Sequence, residues 1–178
     1  MIFATGFDVG VSGVVSGTLP VLGRDGRALL EAWAGGPRTL HGFTSSGFPN
    51  LFHLSGFQNA NSVNFVHILL DQSEHIAAMV RRAEDVGGHV IEPSAEAEDA
   101  WVRTVQDTAS DNRAFQAECT PGYYNGEGSR SIAGAAYSPG PIAFRRLLQD
   151  WRAGDMDEVL RARGTGRRVA AGAVPTAS

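Results

Sequence analysis

The chain has 178 residues, enough for one domain with a real core, and its 43% hydrophobic and 19% charged content excludes a wholly disordered polypeptide. Its formal net charge of -4 argues against a dedicated nucleic-acid binder. All 15 basic residues are Arg, which excludes a Schiff-base lysine, and the single cysteine, Cys119, excludes an internal disulfide or a cysteine zinc cage.

Taken in chain order, Met1 to Gly6 has neither the basic n-region nor the long apolar stretch of a signal peptide. Its apolar run leading into Thr5-Gly6 reads as the end of a buried strand, Ile2 to Ala4, whose earlier residues are not supplied. Leu19 to Leu22 reads as a short strand and Gly23-Arg24-Asp25-Gly26 as a turn. Ala28 to Trp33 fits a strand or one helical turn. Leu51 to Ser55, ending at Gly56, is a strand candidate. A long helix is predicted from about Asn61 or Ser62 to Val86, with Val66, Leu69, Leu70, Ser73, Ile76, Ala77 and Val80 at helical spacing along its packed stripe. Gly87-Gly88 stops it, and a short strand follows at His89 to Ile91. Ser94 caps a second helix that runs to about Ser110, with Ala97, Trp101 and Val105 as its apolar stripe. Residues 111–140 read as irregular, with a strand around Ile132 to Tyr137. A third helix spans about Pro141 to Arg152, and Asp155 to Arg161 is a candidate continuation. The working domain is placed at residues 1–162 and a frayed tail at 163–178. No apolar run approaches the ~18 residues of a membrane span, and sparse cysteine suits a reducing, cytoplasmic setting.

Most familiar chemistries find no footing. His41, His53, His67, His75 and His89 form no HExxH or i,i+4 pair, so no metal site is assigned. Ser45-Ser46-Gly47 is not a nucleophile elbow. Glu118 beside Cys119 raises the thiol pKa rather than lowering it. Neither GxGxxG after a strand nor a P-loop occurs. One segment stands apart: Gly56-Phe57-Gln58-Asn59-Ala60-Asn61-Ser62-Val63-Asn64 opens the longest helix and carries amides and hydroxyls but no charge. A helix N-terminus presents free N–H groups and partial positive charge. That setting suits a neutral heterocycle edge able to become anionic, such as the pyrimidine end of a flavin. An ordinary Asn/Ser capping loop has the same composition.

Ala4-Thr5-Gly6-Phe7-Asp8 resembles the ATGFD segment of Baeyer–Villiger-type flavin monooxygenases, the group of cyclohexanone and phenylacetone monooxygenases. Trp33-Ala34-Gly35-Gly36-Pro37-Arg38-Thr39 and Gly47-Phe48-Pro49-Asn50-Leu51-Phe52 resemble the same family in order and spacing. Ser55-Gly56, Asp71-Gln72, the stretch from Glu96 to Trp101-Val102, and Cys119-Thr120-Pro121-Gly122-Tyr123-Tyr124-Asn125 extend the likeness over about residues 2–160. The resemblance implies an α/β fold: a C-terminal fragment of a two-dinucleotide-binding-domain flavoprotein, a mixed sheet remnant plus helices from the FAD-binding domain.

By the same resemblance Thr5, Gly6 and Asp8 lie near FAD, and Asn61, Asn64, Phe65 and Val66 lie beside the isoalloxazine. Tyr123, Tyr124 and Asn125 match a loop that folds over nicotinamide and substrate. Many members carry Trp where this chain has Thr120, and the departure leans toward bulky cyclic or steroidal ketones. The family's phosphate loop, FxGxxxHxxxW fingerprint, NADPH domain and catalytic Arg are not found in this chain, so no catalytic residue is assigned here. The expected partner is the missing N-terminal half of the same protein, with FAD, NADPH, O2 and a ketone, and with no nucleic acid and no membrane span. The implied activity is insertion of one oxygen atom into a ketone to give an ester or lactone. An N- or S-oxidising flavin monooxygenase, or a truncated non-catalytic remnant, fits the same residues, and the chain alone is expected to be inactive.

Overall fold

Four α-helices and one short antiparallel ribbon make up the regular structure of the described residues, which in this computed structural model are 20–54, 58–62, 64–87, 90–109 and 136–161. The expectations for Ile2 to Ala4, His89, the start of the 132–137 strand and the 163–178 tail lie outside them.

The Gly23–Gly26 turn forms as a 3-10 helix over Arg24–Gly26, with Asp25 at φ 56. A side chain at Gly23 would drive a Cβ to within 2.7 Å of the Phe48 ring. Near Leu19–Leu22 the described residues form only a bridge, Leu22 to Ala28. Helix α1, Leu29–Ala32, is the single turn that Ala28 to Trp33 allowed. It buries Leu29 and Trp33 against Phe48. The Trp33 indole N–H donates to the Arg38 carbonyl at 2.9 Å.

The strand expected at Leu51 to Ser55 is not formed over the described residues 51–54. This stretch spends its backbone bonds on a turn and a distant carbonyl: Leu51 N–H donates to the Phe48 carbonyl and His53 N–H to that of Phe43. Asn50, at φ 59, stands in for a strand neighbour of β1 (Val90–Ile91). Its N–H donates to the Ile91 carbonyl at 2.9 Å, and its side-chain oxygen accepts from Ile91 N–H at 2.8 Å.

Helix α2 spans Phe65–Asp85 rather than opening at Asn61 or Ser62. Asn64 is its cap, accepting from His67 N–H at 3.1 Å, and Gly87 at φ 66 follows its end. Its buried residues are Gln72, His75, Met79 and Ala83, not the stripe expected from the sequence. Ile76 packs at the core margin, whereas Val66 is 75% exposed and Leu70 53%. The apolar stripe and the packed face therefore differ: Gln72 and His75, not Val66 and Leu70, meet the core.

Helix α3, Ala95–Thr108, starts at Ser94, whose Oγ accepts from Ala97 N–H at 3.1 Å. Trp101 and Val105 are buried as the spacing predicts, Ala97 is half-buried, and Val102 and Glu98 are buried beside them. Helix α4, Pro141–Gly154, buries Phe144 and Leu148. A helical continuation at Asp155 to Arg161 gives way to a 3-10 helix, Met156–Val159, and strand β2, Leu160–Arg161. β2 pairs antiparallel with β1, and it is the only sheet among the described residues. The main core joins Met79 of α2, Trp101 and Val105 of α3, Phe144 and Leu148 of α4, and Phe43. Each large side chain so buried contributes about 1.5–3 kcal/mol.

Candidate functional site

The segment before α2 divides into a buried foot and an exposed tip. Gln58, Asn59 and Ala60 are buried, Ser62 is half-buried, and Asn61, Asn64, Phe65 and Val66 are exposed. At the foot, the Thr39 hydroxyl donates to Gln58 Oε1 at 2.5 Å, and Gln58 Nε2 donates to the Pro37 carbonyl at 2.7 Å. The Trp101 indole N–H donates to the Gln58 carbonyl at 3.0 Å. The Asn59 carbonyl accepts from Tyr137 N–H at 3.0 Å.

At the tip, Ser62 Oγ accepts from Asn64 N–H at 3.2 Å, and the Asn64 carbonyl accepts from Ile68 N–H. With His67 N–H held by the Asn64 side chain, the Phe65 and Val66 N–H groups lie in the first turn, where a helix has no carbonyl of its own to offer them. Phe65 is 57% exposed beside them. The surface therefore combines amide donors, the positive end of a 21-residue helix, neutral side chains and bare apolar groups. Its donor chemistry fits a flat heterocycle whose edge gains negative charge.

Of the residues singled out in the sequence, Asn61, Asn64, Phe65 and Val66 share this tip. Thr5, Gly6, Asp8, Tyr123, Tyr124 and Asn125 lie outside the described residues.

The remaining polar clusters serve the frame. Ser45 Oγ donates to the Arg38 carbonyl at 2.7 Å and lies 3.1 Å from His53 Nε2. With its proton committed to that carbonyl, the hydroxyl accepts from His53, the wrong polarity for a nucleophile. Glu98 accepts from Ser46 N–H and Arg38, and burial raises its pKa. Glu92 accepts from Arg24 and from Gly47 N–H. A pocket of about 60 Å³ beside Arg38 and Glu98 has room for little more than water, far below the several hundred Å³ a ligand cleft occupies.

Burial pushes the pKa of His41 down to about 3 and that of His53 to about 4. His75 is lowered to about 3 by burial, with His41 and Arg152 adding to the effect. Among the described residues no group of three or more His, Cys, Asp or Glu side chains is placed to hold a metal. None of their helices is long and apolar enough to cross a membrane. The buried roles of Gln58, Thr39 and Glu98 carried no periodic signal; only the packing of distant segments brings their partners together.

No protein-family model matches the chain. A Baeyer–Villiger monooxygenase of Streptomyces coelicolor is 56% identical over 165 residues, covering 92% of this chain and 27% of the relative. An FAD-binding monooxygenase of Hypomyces subiculosus is 34% identical over 90% of the chain and 27% of its own length. Among solved structures, a polycyclic ketone monooxygenase from Thermothelomyces thermophila superposes with a TM-score of 0.70 at 32% identity, over 79% of this chain and 23% of that one. A cyclohexanone monooxygenase from Rhodococcus, solved with NADP+, gives a TM-score of 0.71 at 25% identity, over 86% and 28%. The chain thus spans about a quarter of the length of the curated relatives it matches.

Proposed function

We propose, on the premise that this chain belongs to the Baeyer–Villiger monooxygenase family, that it supplies the flavin-facing, C-terminal part of an FAD- and NADPH-dependent oxygenase acting on ketones. The chain matches about a quarter of its relatives' length, and on this reading the family's phosphate-binding loop and NADPH domain would lie in polypeptide beyond these residues. Residues 1–162 form the working part, in a cytoplasmic enzyme.

The observation that carries the reading is the exposed, uncharged first turn of α2, whose amide donors stand beside bare Phe65 and Val66. FAD, when bound, would supply the redox chemistry: with two electrons from NADPH, one atom of O2 would enter the ketone and the other would leave as water. The chain's own residues orient and shield. Phe65 and Val66 N–H would face the pyrimidine edge, where the helix end would stabilise negative charge by about 0.3–2 kcal/mol. Asn64 fixes that turn, and Asn61 lines its approach. By the family resemblance alone, Thr5, Gly6 and Asp8 would border FAD, and Tyr123, Tyr124 and Asn125 would cover nicotinamide and substrate. Apolar Phe65 and Val66 exclude water once covered.

The test joins this chain to the remaining three quarters of the Streptomyces coelicolor relative, in place of its matching 165 residues. The expected product is a yellow protein that consumes NADPH with cyclic ketones and yields esters. A folded chimera that holds no FAD, or holds FAD without oxygenating ketones, contradicts the reading. The 178-residue chain alone is expected to retain no stoichiometric FAD.

A further inference from the structure

We propose that Gln58, locked by Thr39, is a positioning residue for the flavin site: the buried Thr39–Gln58–Trp101 clamp sets where the first turn of α2 points. The inference rests on the reading above, in which that turn faces the flavin.

Gln58 and Thr39 have no exposed surface. Gln58 sits at φ 57, in the left-handed region where glycine is the undemanding choice. A bulky non-glycine residue stays there only when its surroundings hold it. Here they do. Both ends of the side-chain amide are engaged, by the Thr39 hydroxyl and by the Pro37 carbonyl. The backbone carbonyl takes the Trp101 indole N–H. Thr39 is itself fixed, because its Oγ1 accepts from Gly42 N–H at 3.0 Å.

A buried amide costs free energy unless every partner is met, and an apolar side chain would fill the space without that demand. What the amide adds is direction. It ties residue 58 to the loop around Pro37–Gly42; the Gln58 backbone carbonyl adds the tie to α3, and the next carbonyl ties the chain to Tyr137. From that anchor the short span 59–63 reaches the Asn64 cap. Rotation at Gln58 therefore swings the Phe65 and Val66 donors, although Gln58 touches no cofactor.

The test has two arms. In the 178-residue chain, with its three tryptophans, exchange of the Trp101 indole N–H reports the clamp, and the Val105 amide inside α3 is the control. Thr39→Val removes the hydroxyl at nearly constant shape. It is expected to speed Trp101 indole exchange at least about tenfold and Val105 exchange less than about twofold, while Thr39→Ser restores the parent rate. In the chimera, Thr39→Val is expected to slow flavin reduction by NADPH about three- to tenfold at saturation. It should also shift the flavin visible band and leave the KM for NADPH within about twofold, with Thr39→Ser again restoring both. Where Thr39→Val does not fold, Gln58→Asn carries the same expectations, since Asn tolerates the left-handed backbone but falls one methylene short.

Unchanged Trp101 exchange in Thr39→Val overturns the clamp. Freed Trp101 with unaltered flavin rate and spectrum overturns the positioning role, provided Asn64→Asp still lowers the flavin potential. If Asn64→Asp also leaves the potential unchanged, the flavin-facing reading itself fails and this inference falls with it.

Discussion

The two halves of α2 obey different rules. From Gln72 to Ala83 the helix packs inward, with Met79 1% exposed and His75 set among Phe43, His41 and Trp151. From Phe65 to Leu70 the side chains of Phe65, Val66 and Leu70 are exposed, and those of Ile68 and Leu69 are half-buried. One helix thus buries a histidine and a glutamine while exposing phenylalanine, valine and leucine. Hydrophobicity alone does not say which face meets this chain's own core. The buried half anchors the helix to the core, and the exposed half makes little contact with it.

Breaking the rigid half gives the largest effect. Trp101 carries the indole bond to Gln58 and contacts His41, Tyr137 and Phe144. Trp101→Ala is expected to cost about 3–5 kcal/mol, measured by urea unfolding of the chain. A loss below about 1 kcal/mol would mean that α3 is not anchored through this ring.

Acid attacks the same half. His41, His53 and His75 are held neutral, with pKa values of about 3, 4 and 3, against about 6.5 in an unfolded chain. Below pH ~6.5 the unfolded state therefore binds protons that the folded state refuses. Stability is flat above that pH and falls as pH drops toward 4, by up to about 1.4 kcal/mol per pH unit for each histidine. Glu98 works in the opposite sense, because burial makes its folded state take up a proton first. One carboxyl does not offset three imidazoles. Circular dichroism across pH 7 to 4 should show unfolding in that window, and His75→Leu should lower the midpoint. A chain fully folded at pH 4 would contradict the neutral, buried assignment.

The exposed half should hardly respond. Val66→Ser and Leu70→Ser are expected to change the stability of the chain by less than about 0.5 kcal/mol, because little burial is lost. In the chimera the same pair should lower flavin retention. A large loss of stability in the isolated chain would show that these side chains are packed in solution.

The sequence was most legible where one local interaction decides the outcome. The Ser94 cap, the Trp101–Val105 stripe and the Asp25-Gly26 turn all formed where their residues pointed. The helix start moved to Phe65 because Asn64, not Asn61 or Ser62, accepts the first-turn bond. The stripe of α2 misled because Val66 and Leu70 owe nothing to this core, whereas Gln72 and His75 depend on it. The Leu51 to Ser55 segment has strand-forming residues, but among those described, 51–54, its backbone bonds go to turns and single distant carbonyls. The exposed tip was legible as chemistry, from amides without charge at a helix start. The Thr39–Gln58 clamp beneath it was not, since it joins residues whose proximity no spacing reveals.

Flavin potentiometry on Asn64 variants of the chimera tests the central claim, that the first turn of α2 faces a flavin. Asn64→Asp keeps a capping oxygen, so the helix should persist, and it places a negative charge where reduced flavin is anionic. A helix end acts on an anion by about 0.3–2 kcal/mol, and about 1.4 kcal/mol corresponds to ~30 mV for a two-electron couple. The midpoint should therefore fall by tens of millivolts in Asn64→Asp, with slower reduction by NADPH, and by less in Asn64→Ala. Equal potentials for the parent chimera and its Asn64→Asp and Asn64→Ala variants, all binding flavin normally, would show that this helix end does not face the cofactor.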